Sequence, residues 1–210
     1  ECTTDTDALG VVNVGASGQM RISGTLDNGG QTLDVGQKVY LHSGTISGGT
    51  VDGGLHVSDD SSRLDEGVVV NGDMEFDRNR EVYVTGGLTL NGKATLDSDE
   101  RMWFDFLPWD GPQTLTGQNG AEVQLLDDYD SDYAELGIYD YVDLTIDANV
   151  FVHGEGWVGS RGRSTRAYSV LRNQGVIQAD RGGQWLRVMP ERLTNEGTLA
   201  ANGSNAYLDI

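Results

Sequence analysis

The chain has 210 residues and a formal net charge of −19, from 33 acidic against 14 basic residues. That balance argues against nucleic acid or an anionic membrane surface as the main partner. Hydrophobic residues are only 37% while glycine reaches 30, a composition that suits a narrow apolar column with many tight corners better than a thick globular core.

No apolar run approaches the ~20 residues that cross a bilayer, and no segment holds a 3.6-residue apolar period over three turns, so almost no helix is expected. The charge is unevenly placed. Residues 161–210 carry seven Arg against four acids, or +3, whereas residues 1–160 carry seven basic residues against 29 acids, or −22.

Residues 1–10 have no pattern and read as a lead-in. The chain opens on Glu1 and not Met, so a processed chain or a piece of a longer one is expected, and a removed secretory signal fits. Cys2 is the single cysteine and cannot close an intrachain disulfide. A free thiol, a bond to another chain and a trimmed lipid-attachment site stay open as alternatives.

Repeats begin next. Ser23-Gly24-Thr25-Leu26 returns as Ser43-Gly44-Thr45-Ile46, a step of 20, and Leu33/Val35 returns as Leu55/Val57, a step of 22. Val70-Asn71-Gly72-Asp73-Met74-Glu75-Phe76 returns 20 residues later as Leu90-Asn91-Gly92-Lys93-Ala94-Thr95-Leu96. The Asn-Gly pairs mark turns that accept positive φ.

The period breaks at 102–120 and 126–143, which read as longer, irregular insertions. The first gathers Trp103, Phe104, Phe106 and Trp109, which serve a wider rung or plug better than a carbohydrate-stacking platform. The second concentrates Asp127, Asp128, Asp130 and Asp132. Asp128-x-Asp130-x-Asp132 has the alternate oxygen spacing that suits a hard cation, so these four are a candidate Ca²⁺ site. The EF-hand pattern fails, with Tyr133 where glycine belongs and Tyr139 where the bidentate Glu belongs. Otherwise the stretch is a solvated acidic loop.

Residues 171–210 are the most regular, one unit written twice. At a constant spacing of 22, Leu171 aligns with Leu193, Asn173 with Asn195, Ile177 with Leu199, Leu186 with Leu208 and Val188 with Ile210. Each copy holds two alternating apolar runs between Gly- and Asn-rich corners, the pattern of strand, turn, strand, turn. A unit of about 20–24 residues that cannot bury its apolar side alone is a solenoid rung. About nine such rungs at roughly 4.8 Å each make a rod on the order of 40 Å long. The expectation is one all-β domain, a β-solenoid.

The segments GGTVDGGLHV, GGLTLNGKATLDSD, LTIDANVFVHGEGWVGS, LRNQGVIQAD and LTNEGTLAANG resemble the Gly/Asn/Thr-rich repeats of very large bacterial surface proteins. Those are similar to the β-helical passengers of autotransporters and to filamentous-haemagglutinin-like adhesins. The resemblance covers most of residues 11–210 and implies a right-handed parallel β-helix, a hand that agrees with the preference of parallel crossovers, and an extracellular, cell-surface or matrix role, with no catalytic residues carried over. Polysaccharide lyases share the architecture and pair a Ca²⁺-binding Asp cluster with basic residues above it, so the cluster at 127–132 and the Arg cluster at 161–166 keep a lyase or hydrolase as a third reading. No Ser/His/Asp or Cys/His set accompanies them, and His42, His56 and His153 show no partners in the sequence. An enzyme is not expected.

The leading expectation is a structural protein that assembles head to tail into a filament, sheath or matrix, with a surface adhesin or polysaccharide-binding module second. The assembly residues would be Cys2, Leu199, Leu208, Ile210, Arg187 and Arg192. The +3 end would face an N-terminal region, 1–60, whose two basic residues and eight acids give −6.

Overall fold

The computed structural model describes residues 3–9, 12, 14–97, 100–105, 111–118, 120–126, 134–159 and 169–210. Within them the chain coils as a parallel β-helix. Three sheets of ten, nine and eight short strands run side by side, here called A, B and C in that order of size. Each turn of the coil visits B, then A, then C. One such rung is Lys93–Asp97 in B, Arg101–Phe104 in A and Gln113–Thr116 in C. Every strand pair is parallel and joins one rung to the next, as in Val82↔Met102 and Ala94↔Val123.

Alternation builds the core. In a strand successive side chains point to opposite faces, so each three-to-six-residue strand sends one to three side chains inward. In sheet A, Leu26, Ile46, Leu64, Val84, Phe104 and Ile138 stack in register. In sheet B, Val39, Leu55, Met74, Ala94, Val123, Val152, Ile177 and Leu199 do the same. All of these are fully or almost fully buried except Leu199, which is half-buried. Burying one such side chain stabilises by about 1.5–3 kcal/mol, and the columns repeat that gain rung by rung.

The doubled tail folds in the expected register, with Leu171↔Leu193, Asn173↔Asn195, Ile177↔Leu199 and Leu186↔Leu208. It holds three strands per turn and not two, because Val170–Asn173 and Arg192–Asn195 are strands of sheet C. The 20-residue repeats pair as expected: Leu26↔Ile46, Val70↔Leu90 and Met74↔Ala94. The 22-residue match of Leu33 with Leu55 is a coincidence. Leu33 pairs with Val51 in sheet C while Leu55 pairs with Val39 in sheet B. The earliest rungs are shorter, and a step of 22 there overshoots one whole side of the coil.

The irregular stretches are narrower than the sequence suggests. Met102, Trp103 and Phe104 lie in a regular sheet A strand, and Glu135–Ile138 pairs directly above it. Phe104 points into the core, while Trp103 points out but is almost covered. A Cβ on Gly137 would lie 2.1 Å from the Trp103 ring, so the glycine is what lets the indole lie across the next strand. Phe106 and Trp109 fall outside the described residues.

The Asn-Gly corners work differently from a simple positive-φ turn. Gly72 does adopt φ 131°, but Gly92 does not need a positive φ. A Cβ there would meet the Gly72 carbonyl oxygen at 2.3 Å. The asparagines form a side-chain ladder up the corner: Asn71 Nδ2 donates to Asp52 Oδ1 at 2.6 Å, and Asn91 Nδ2 donates to Asn71 Oδ1 at 2.8 Å.

The lead-in is also ordered into the stack. Thr3–Asp5 adds a strand to sheet A beside Thr25–Asp27, and Thr6–Leu9 makes one helical turn. Leu9, Val12 and Val14 then pack against the core.

Candidate functional sites: the terminal rung and the outer faces

The three strands Arg192–Asn195, Thr198–Ala201 and Tyr207–Asp209 each stand last in their sheets, all at one end of the coil. Their inward residues Leu193, Leu199 and Leu208 are half-buried, while their partners one rung below, Leu171, Ile177 and Leu186, are 0% exposed. Among the described residues no strand pairs beyond these three, so the surface here combines apolar side chains with strand edges of the kind another strand can join.

Ile210 is 67% exposed and lies just past the last paired residues. Arg187 does not point into this surface. Its guanidinium lies 4.9 Å above the Trp157 ring and 5.7 Å from that of Trp185, and its Nε is 3.8 Å from Asp209. Arg192 is exposed at the start of the last sheet C strand. Cys2 and the candidate Ca²⁺ ligands Asp127, Asp128, Asp130 and Asp132 lie outside the described residues, as do the three Arg of 161–166. Among the described residues no group of three or more His, Cys, Asp or Glu is arranged to hold a metal ion. Likewise no helix among them is long and apolar enough to cross a membrane.

The outer face of sheet A gathers aromatic and charged side chains. Tyr83 donates to Glu81 at 2.5 Å, and burial together with that carboxylate pushes its phenol well above the ordinary range. Arg101 stands 4.0 Å from both Glu81 and the buried Glu135, so the guanidinium compensates both carboxylates. Further up, Trp185 and Tyr207 are stacked at 4.4 Å and 15°. Each ring covers one face of the other, and both stay partly open at 46% and 45% exposed.

The outer face of sheet B corrects the expectation that the histidines lack partners. His42 Nε2 lies 3.2 Å from Asp59. His56 Nε2 lies 2.9 Å from Asp77, and its Nδ1 is 3.7 Å from Glu75. His153 Nδ1 lies 2.8 Å from Asp180 and its Nε2 3.1 Å from Glu122. The partners stand 17 (His42 to Asp59) to 31 (His153 to Glu122) residues away in sequence, one rung up or down, where no local motif could reveal them. The Lys93 ammonium, 2.8 Å from Glu122, outweighs burial and with His153 holds that carboxyl below its ordinary range.

Sheet C is plainer, faced by Thr50, Val69 and Thr89 in register and by Arg172, whose guanidinium grips Asp143 at 3.1 and 3.2 Å. No protein-family model, curated protein or solved structure matches this chain.

Proposed function

We propose that this chain is a structural rod of an extracellular assembly, extended by stacking a further copy on the Arg192–Asp209 rung. One observation carries the reading: Leu193, Leu199 and Leu208 continue columns that are wholly buried one rung below, yet are themselves only half covered. A strand laid on this face would complete three apolar columns and three sheet edges together. In a head-to-tail contact the rung would meet the opposite end, where the outermost strand of sheet A is Thr3–Asp5. Charge does not set the orientation, since over residues 169–210 Arg172, Arg181, Arg187 and Arg192 meet Asp180, Glu191, Glu196 and Asp209. Such a contact is heterologous and propagates if it does not close.

The lead-in sets the terms of the join. A bare first rung is not what the incoming copy meets, because Leu9, Val12 and Val14 already pack there. The new contact is therefore made on Thr3–Asp5 or requires the lead-in to move aside, and as a contact between copies it depends on concentration.

Sedimentation across a concentration series tests the reading. The isolated chain should form species larger than a monomer as concentration rises, and Leu208→Lys should abolish them while leaving the monomer folded. A chain that stays monomeric at all concentrations overturns it.

A further inference from the structure

We propose that Tyr83 and Tyr139 form a site for oxidative coupling: a diffusible one-electron oxidant from solvent joins their rings into a dityrosine that staples two rungs of the coil, with Glu81 taking the Tyr83 proton. The proposal rests on the outer face of sheet A and is independent of the rod reading.

Register brings the two rings together. Tyr83 stands in the Glu81–Val84 strand with Trp103 directly above it, and Gly137 stands above Trp103. Tyr139 comes two residues later, just past the Glu135–Ile138 strand. The two tyrosines therefore start two rungs apart, roughly 10 Å along the axis. Their side chains close that gap. The ring centroids lie 6.1 Å apart at 52°, and the two hydroxyls are hydrogen-bonded. In a tyrosyl radical the unpaired electron is shared between the oxygen and the ring carbons ortho to it. Hydroxyls that meet bring those carbons side by side, which is the contact that coupling needs.

Glu81 makes Tyr83 oxidisable. A neutral phenol loses an electron readily only when its proton leaves too, since otherwise a strongly acidic radical cation must form. The Tyr83 hydroxyl donates to Glu81 at 2.5 Å, so an acceptor is in place before the electron goes. The resting phenol stays protonated, because burial and that same hydrogen bond push its pKa well above the ordinary range. Arg63 lies 5.7 Å over the Tyr83 ring and opposes positive charge there, but Asp65 and Asp105, 3.4 and 3.5 Å from its guanidinium, offset it. Glu81 keeps 24% of its side chain exposed and passes the proton on to water.

The step balances. Each ring loses one electron to the oxidant and one proton, from Tyr83 to Glu81 and from Tyr139 to water. The two neutral radicals form one carbon–carbon bond between ortho positions. The hydrogens displaced from those carbons return to the two oxygens. The pair ends two hydrogens lighter, with both phenols restored.

The surroundings direct the coupling within the chain. Both rings are half-buried, so each reaches the other more easily than a tyrosine of a second chain does. Tyr40 and Tyr207 lie against His56 and Trp185 instead. A staple of this kind suits a chain whose single cysteine closes no disulfide within it. Like a disulfide, it restricts the unfolded chain between its two ends.

The test treats the full chain, dilute, with ruthenium(III) tris-bipyridyl generated by light and persulfate, and maps the products by peptide mass spectrometry. The expected first coupled product joins the peptides of Tyr83 and Tyr139, is two hydrogens lighter than their sum, and runs as a monomer under denaturing conditions. Tyr83→Phe and Tyr139→Phe should each remove it, and Glu81→Gln should lower its yield several-fold. A first coupled product that maps to other tyrosines, or a yield that Glu81→Gln leaves unchanged, overturns the proposal. Should a variant fail to fold, the map of the parent chain decides.

Discussion

The two ends of the coil are made of the same kind of rung and differ in what lies across them. At the first rung Ile22 and Leu26 are 7% and 3% exposed, with Thr4 paired beside Leu26 and with Leu9, Val12 and Val14 packed against the core. At the last rung Leu193, Leu199 and Leu208 stay half-buried. Nothing in the local pattern separates these leucines from those beneath them, since WLRV and YLDI alternate alike. In a solenoid each strand is buried by its neighbours along the axis, so a side chain's stability contribution depends on rung position as much as on residue type.

The strongest way to break that comparison is to truncate the same column at two heights. Leu186→Ala should cost about 2–5 kcal/mol, as for a large-to-small change in a packed interior. Leu208→Ala, one register step above, should cost less than half as much, because its cavity opens to water. Denaturant melts of the two variants at low concentration measure the difference. Equal costs would mean that the terminal rung is covered in solution.

This dependence on neighbours also explains what was legible in the sequence. The tail could be read because its identities fall at a fixed spacing, and inward faces followed from alternation alone. The third strand of each turn was missed because Leu171/Asn173 gives only one apolar inward residue. The match of Leu33 to Leu55 misled because corner lengths vary, so a fixed step lands on the wrong sheet. The carboxylates around His56 and His153 were invisible for the same reason: rung-to-rung contacts join residues whose separation is set by the sum of three corners.

A medium effect is expected where an outer residue relies on the rung above. Trp103 lies across Gly137, and any Cβ there would overlap its ring. Gly137→Val should cost about 1–3 kcal/mol by overpacking. Adding Trp103→Ala should recover part of that loss, since the obstacle is gone. A double variant no more stable than Gly137→Val alone would show that the glycine serves the backbone and not the indole.

The smallest effect lies in a second asparagine ladder, Asn173 with Asn195 in sheet C, and it can sharpen the comparison furthest. Asn173 is 1% exposed; its amide donates to Asn195 Oδ1 at 2.7 Å and to the Thr198 carbonyl at 3.2 Å. Asn195, its register partner, is exposed and makes one longer bond of its own, to the Gly197 carbonyl at 3.3 Å. Asn173→Ala removes a buried donor and leaves acceptors behind, so about 1–2 kcal/mol is expected, whereas Asn195→Ala exchanges an exposed bond for water and should cost about 0.5 kcal/mol or less. The order should change on assembly. When a further copy stacks on Arg192–Asn195, Asn195 becomes an interior member of the ladder, and its substitution should then weaken association as well as the fold. The cost of Asn195→Ala, followed by thermal melts across the concentration range in which the chain self-associates, should therefore rise with concentration, while that of Asn173→Ala stays level. A cost for Asn195→Ala that does not move with concentration would place the contact between copies away from the sheet C corner.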